Sequence, residues 1–180
     1  MKILFVAHDG RDGIGTHSAG LRAALPAALP AADELVVAGL AGRRSRRGSR
    51  VIGQQLRLPF TERDADLVHL PDFRPTLIDR RPTLLTVHDV CFLDHPEWFP
   101  RSVYRYKSTL LRLIRAKRPA AIVCVSAYTE RALARNRGGG WLARWRAARR
   151  PLEPTLSGGW RPDKRPLSLL GRRASGLLVL

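Results

Sequence analysis

His88 and Asp89 follow directly on the apolar run TLLTV, residues 83–87. A histidine and a carboxylate at the end of a buried strand can orient a hydroxyl group or assist its deprotonation. The commoner fate of such a pair is a satisfied structural histidine beside a turn- or helix-capping aspartate. Just beyond lies CFLDHPEWFP, residues 91–100, which places Asp94, His95, Glu97 and Trp98 in a loop long for a compact α/β unit. There the carboxylates can bind hydroxyls while aromatic faces stack on rings or lipid chains. The competing reading makes Trp98 and Phe99 a hydrophobic plug. Gly13, Ile14 and Gly15 precede a helical stretch, where bare backbone amides and the positive helix end can meet a phosphate or carboxylate. A tight strand-to-helix turn explains the same glycines.

These residues need a frame. Lys2–Ala7 (KILFVA) is a continuous apolar run of the kind buried on both faces of a parallel sheet. A helix is expected to open at Thr16 or Ser18, with Leu21, Ala24, Leu25 and Ala28 on one face and Pro26 ending or kinking it. Further strands are expected over 35–38 (LVVA), over 51–58 in weaker form, over 66–70 (DLVHL), over 83–87, and over 121–125 (AIVCV). The periodicity between the last two predicts a helix over 102–117. Strands alternating with helices give an α/β fold, a Rossmann-like, doubly wound, mostly parallel sheet. In such a sheet ligands sit at the carboxyl ends of the strands. The polar punctuation falls there: His8, Asp9 and glycines after the first strand, Pro71 and Asp72, then His88 and Asp89, then Ser126.

The chain has 180 residues and 44% hydrophobic content, enough to bury a core. Its net charge of +17 favours an anionic partner without choosing among nucleic acid, lipid and phosphorylated substrate. The arginine run GRRSRRGSR, residues 42–50, is read as a solvated loop or as a contact with an anionic membrane surface. It lacks interleaved aromatics, and no helix-turn-helix or zinc finger accompanies it, so no specific nucleic acid is expected. Cys91 and Cys124 are isolated and are expected to be reduced and buried. No metal-ligand spacing occurs and no cofactor is expected. The amino-terminal apolar run is too short for a signal peptide or a membrane span, which points to a cytoplasmic protein, peripheral to the membrane at most. Residues 1–135 are expected to form the domain. Residues 136–180 read as an irregular basic tail with ten basic and two acidic residues, a disordered or frame-shifted extension in composition.

Together IGTHSAGLRAAL, ADLVHLPD, TLLTVHDVCFLDHPEWFP and IVCVSAYTERAL resemble, in order and spacing, the amino-terminal domain of GT-B glycosyltransferases of family 4. The resemblance spans roughly residues 1–135. It implies an acceptor-side domain that works with a second, donor-binding domain, transferring sugar from a nucleotide-sugar substrate to a hydroxyl acceptor without an obligatory metal. By position, Gly13, Ile14 and Gly15 would lie near the donor phosphates. His88 and Asp89 would line the acceptor side as catalytic residues, Ser126 would face the interdomain cleft, and Asp94, His95, Glu97 and Trp98 would shape acceptor choice. Residues 136–180 hold one glutamate, Glu153, where the family carries a second Rossmann-like domain with paired glutamates. A donor half lost by truncation or frame shift, and a chain inactive alone, are therefore expected. A noncatalytic sugar- or acceptor-binding module acting with a partner chain is the alternative, and a basic nucleic-acid binder ranks behind it.

Overall fold

The computed structural model describes residues 1–39, 55–135 and the backbone of 176–179. Strands β1 (Lys2–Ala7), β2 (Glu34–Gly39), β3 (Leu67–Leu70), β4 (Thr83–Val87), β5 (Ala121–Cys124) and β6 (Gly176–Val179) form a sheet in the order β2-β1-β3-β4-β5-β6. All pairings are parallel; Leu4 faces Val36 on one side and Val68 on the other. The helices are α1 (Gly13–Ala28), the single turn α2 (Cys91–Asp94), α3 (Arg101–Lys117) and α4 (Ala127–Arg135).

The strand order explains where a ligand can go. From β1 the chain crosses one way to β2 and then back the other way to β3, β4 and β5. Right-handed crossovers in opposite directions put their connections on opposite faces of the sheet. β1 and β3 therefore meet at a topological switch point, beyond whose carboxyl ends sheets of this kind bind their ligands. β3 and β5 are buried along their whole length, consistent with layers on both sides. Leu4, Val6, Val68, Leu70, Leu85, Val87, Ile122 and Cys124 from the strands pack with Phe92, Leu111, Ile114 and Leu133 from the helices in one core.

The structure corrects several expectations. Residues 55–57 are helical and Leu58–Phe60 is a 3-10 turn, so that part of the expected strand over 51–58 is not extended; 51–54 lie outside the described residues. Leu58 supplied the apolar signal, but it enters the core from a turn with Pro59 inside it. α1 starts at Gly13, ahead of Thr16 and Ser18, because the Asp12 carboxylate caps it by accepting from the Gly15 amide at 2.8 Å. Pro26 falls in its last turn, and the helix closes two residues later with Leu29 N–H on the Leu25 carbonyl. The tail is not wholly irregular, since Gly176–Val179 pairs with β5. The arginine run 42–50 lies outside the described residues. Among the described residues no helix is long and apolar enough to cross a membrane.

Candidate active site

The parallel register brings His8, Pro71, Asp72, His88, Asp89 and Ser126 to one edge of the sheet, where the strands end. Direct contacts join them across the switch point. The Arg74 guanidinium, held by Asp72, reaches His8 Nδ1 at 3.4 Å. A guanidinium only donates, so this nitrogen accepts. His8 Nε2 lies 3.3 Å from Asp12 Oδ1, without hydrogen-bond alignment. The His8 amide donates to Ser18 Oγ at 2.9 Å, which fixes the end of β1 to α1.

His88 is half-buried, and its Nε2 lies 2.9 Å from the Pro71 carbonyl oxygen. That oxygen can only accept, so Nε2 carries the hydrogen and a neutral ring keeps its lone pair on Nδ1. Thr129 Oγ1 donates to the His88 carbonyl at 3.3 Å and holds its backbone. The edge of His17 meets the His88 ring at 4.8 Å between centroids and 89°. His17 Nε2 is buried with no hydrogen-bond partner. Burial, and then the proximity of His88, lower the His17 pKa and keep it neutral.

Asp89 is exposed and accepts from the Cys91 amide at 2.7 Å, closing a local turn just ahead of α2. Its carboxylate also accepts from Cys91 Sγ at 3.1 Å and lies 3.6 Å from Lys107 Nζ. Cys91 is only half-buried, a correction to the expected burial, and burial together with the Asp89 carboxylate raises its pKa. Cys124 is buried, and neither cysteine is in a disulfide.

Ser126 Oγ accepts from the Thr129 amide at 3.2 Å and lies 3.0 Å from the Thr129 hydroxyl, so it caps α4. Gly13 opens α1 with open space where a Cβ would stand, whereas a Cβ on Gly15 would lie 1.7 Å from the Gly10 carbonyl oxygen. Gly15 is thus required by a close backbone approach. Ile14 is half-buried between them. The Gly15 hydrogen bond, its largest cause, lowers the Asp12 pKa, so a carboxylate sits at this helix end.

Residues 91–100 are mostly ordered turns rather than open loop. Asp94 accepts from Tyr128 at 2.9 Å and Arg135 at 2.7 Å, tying α2 to α4. His95 stacks on Trp98, with centroids 3.9 Å apart and planes 7° apart, and its Nδ1 lies 3.2 Å from Glu97. Trp98 is 67% exposed, so it is not a plug; Phe99 packs on the core and fills that part. His17, Arg74 and Thr129 complete this rim although nothing in the sequence pattern singles them out. Ser and Thr near a helix start hint at capping, but nothing local marks His17, whose neighbour at 88 is brought in by the sheet. Among the described residues no group of three or more His, Cys, Asp or Glu is placed to hold a metal ion.

The sequence model of Glycosyltransferase Family 4 matches residues 12–152. The chain belongs to glycosyltransferase family 4. The matched stretch begins at the cap of α1 and takes in every rim residue described above except His8. No curated protein and no solved structure matches the chain. The family 4 assignment agrees with the parallel sheet and its switch point.

Proposed function

We propose that this family 4 domain binds the hydroxyl acceptor of a sugar transfer, with His88 Nδ1 as the group that takes up the acceptor proton. The supporting observation is the 2.9 Å bond from His88 Nε2 to the Pro71 carbonyl, which commits one nitrogen and leaves the other basic. Neutral His17 packs against the ring and adds no competing charge. Asp89 balances the charge of a protonated His88 from the next position in the chain. His95, Glu97 and Trp98 form the acceptor side, a stacked aromatic pair beside a carboxylate, with Asp94 anchoring their segment. The donor is a nucleotide-sugar, its diphosphate near the first turn of α1, where Gly13 and Ile14 amides lack intrahelical acceptors by helix geometry. Ser126 contributes as the cap of α4 at the cleft edge. A second, donor-binding unit completes the cleft. The protein works in the cytoplasm, in peripheral contact with an anionic membrane surface, on a lipid-linked or polysaccharide acceptor.

The test is nitrogen NMR of the imidazoles during titration with hydroxyl acceptors and nucleotide-sugars. Acceptors are expected to move the His88 Nδ1 signal, and His88→Ala should abolish the binding. With both halves of the cleft present, that substitution should slow transfer by roughly 100- to 10,000-fold. A His88 signal unmoved by every ligand in the folded protein sinks the reading. Sugar transfer by the purified 180-residue chain alone overturns the assignment of donor binding to a second unit.

A further inference from the structure

α3 begins at the candidate rim, because it follows β4 and runs back to the start of β5. Its sequence, RSVYRYKSTLLRLIRAK, contains six basic residues and no acidic one. Leu111 and Ile114 are buried against the core, and Lys107 is drawn inward over the Phe92 and Phe99 rings. Arg101, Arg105 and Arg112 fall on the opposite side, separated by about one and two turns, and all three are exposed. Among the described residues no carboxylate pairs with them. Ser102, Thr109 and Ala116 are exposed on the same side of this helix, which is about 25 Å long. Trp98, just ahead of the helix, and Tyr106, on its flank in the second turn, are 67% and 51% exposed. Glu97, the acidic neighbour of Trp98, is engaged by His95.

We infer that this outward face of α3, with Trp98 just ahead of it and Tyr106 on its flank, docks on an anionic lipid bilayer. The inference names the surface for the membrane contact proposed above and rests on that reading. Charge complementarity selects the occupant: unpaired arginines attract acidic headgroups, while tryptophan and tyrosine settle at the headgroup boundary with an apolar ring inside and a polar tip outside. The outward face of a single helix offers no groove to follow a nucleic-acid backbone. Docking by this face would hold the rim, and His88 with it, against the surface where a lipid-borne hydroxyl is presented.

Co-sedimentation of the full chain with vesicles tests this at physiological ionic strength. One set is phosphatidylcholine alone, the other phosphatidylcholine mixed with phosphatidylglycerol. Wild type is expected to bind the mixed vesicles only. R101Q/R105Q/R112Q should weaken that binding on the order of 100-fold, about fivefold for each arginine. R43Q/R44Q/R46Q, which removes equal charge elsewhere, should weaken it far less. Circular dichroism checks that both variants stay folded. Wild type that ignores anionic vesicles overturns the membrane contact altogether. Wild-type binding that survives the α3 substitutions, or that falls equally with either triple variant, overturns the assignment to α3 while leaving the contact intact. Tighter binding of duplex DNA than of vesicles through the same three arginines makes the face a nucleic-acid surface and overturns it too.

Discussion

The two edges of the sheet are both polar and both carry ion pairs, but they differ in what is left unbonded. At the amino-terminal edge charges meet partners: the chain amino group meets Asp33, Lys2 meets Glu62 and Asp64, and the Lys2 amide donates to Asp66. Arg81 there binds Asp79 and three carbonyls, those of Leu58, Thr61 and Glu62, and Lys117 donates to the Asp79 carbonyl. At the carboxyl edge His17 Nε2 is buried without a hydrogen-bond partner and His88 has one nitrogen committed. Charge density therefore marks a brace as readily as a site. At the rim two buried imidazole nitrogens, His8 Nε2 and His17 Nε2, have bonding capacity to spare.

The sharpest way to break this contrast is to remove one residue from each edge. Asp79 is 3% exposed; burial pushes its pKa up, yet bonds from Arg81 bring it net below the usual carboxylate range. Arg81→Ala strands that carboxylate, and is expected to cost roughly 3–5 kcal/mol in urea denaturation. His88→Ala removes one rim hydrogen bond and should cost only about 1 kcal/mol. Equal losses would mean that the rim is as much a brace as the opposite edge.

The sequence made the sheet legible because strands buried on both faces are continuous apolar runs, which is how β1, β3, β4 and β5 stand out. It misled at Leu58, where a core side chain arrives from a turn, and at 176–179, where GLLV is too short for a periodicity to show. The rim was legible as a set of strand ends, since parallel register alone sends His8, His88 and Ser126 to one edge. Individual roles were less so. Ser126 and Asp89 look alike to a reader of polar punctuation, yet one caps α4 and the other bridges α2 to Lys107. His17 was invisible because its meaning lies in the ring of His88, 71 positions away in the chain.

His69 sharpens the comparison from inside, as a histidine of the same sheet that belongs to neither edge. It is 5% exposed, edge-on to Phe5, with Nε2 3.4 Å from Thr86 Oγ1. Burial first, and then the proximity of His17, lower its pKa from 6.5 to about 4. The folded protein refuses a proton that the unfolded chain accepts, so stability is full above pH 6.5 and falls with pH until the folded group titrates. Across that window the loss attributable to His69 is about 3 kcal/mol. Denaturation midpoints of wild type and His69→Gln should converge as pH falls. Parallel curves would show that His69 titrates in the folded protein as it does in the unfolded chain.

The glycines of the first loop give the finest distinction, because both precede the same helix and only one is held by the backbone. At Gly15 the obstacle to a Cβ is the Gly10 carbonyl, 1.7 Å away, and a main-chain atom cannot swing aside as a side chain can. Gly15→Ala must push 10–12 away from α1, disturbing the Asp12 cap and the His8 contact together. The expected cost is about 1–3 kcal/mol. Gly13 has open space at the first helical position, so Gly13→Ala should change stability by less than about 0.5 kcal/mol or raise it slightly. If alanine is tolerated equally at both positions, close packing does not fix this loop, and the glycine at 15 must be explained by what approaches its amide.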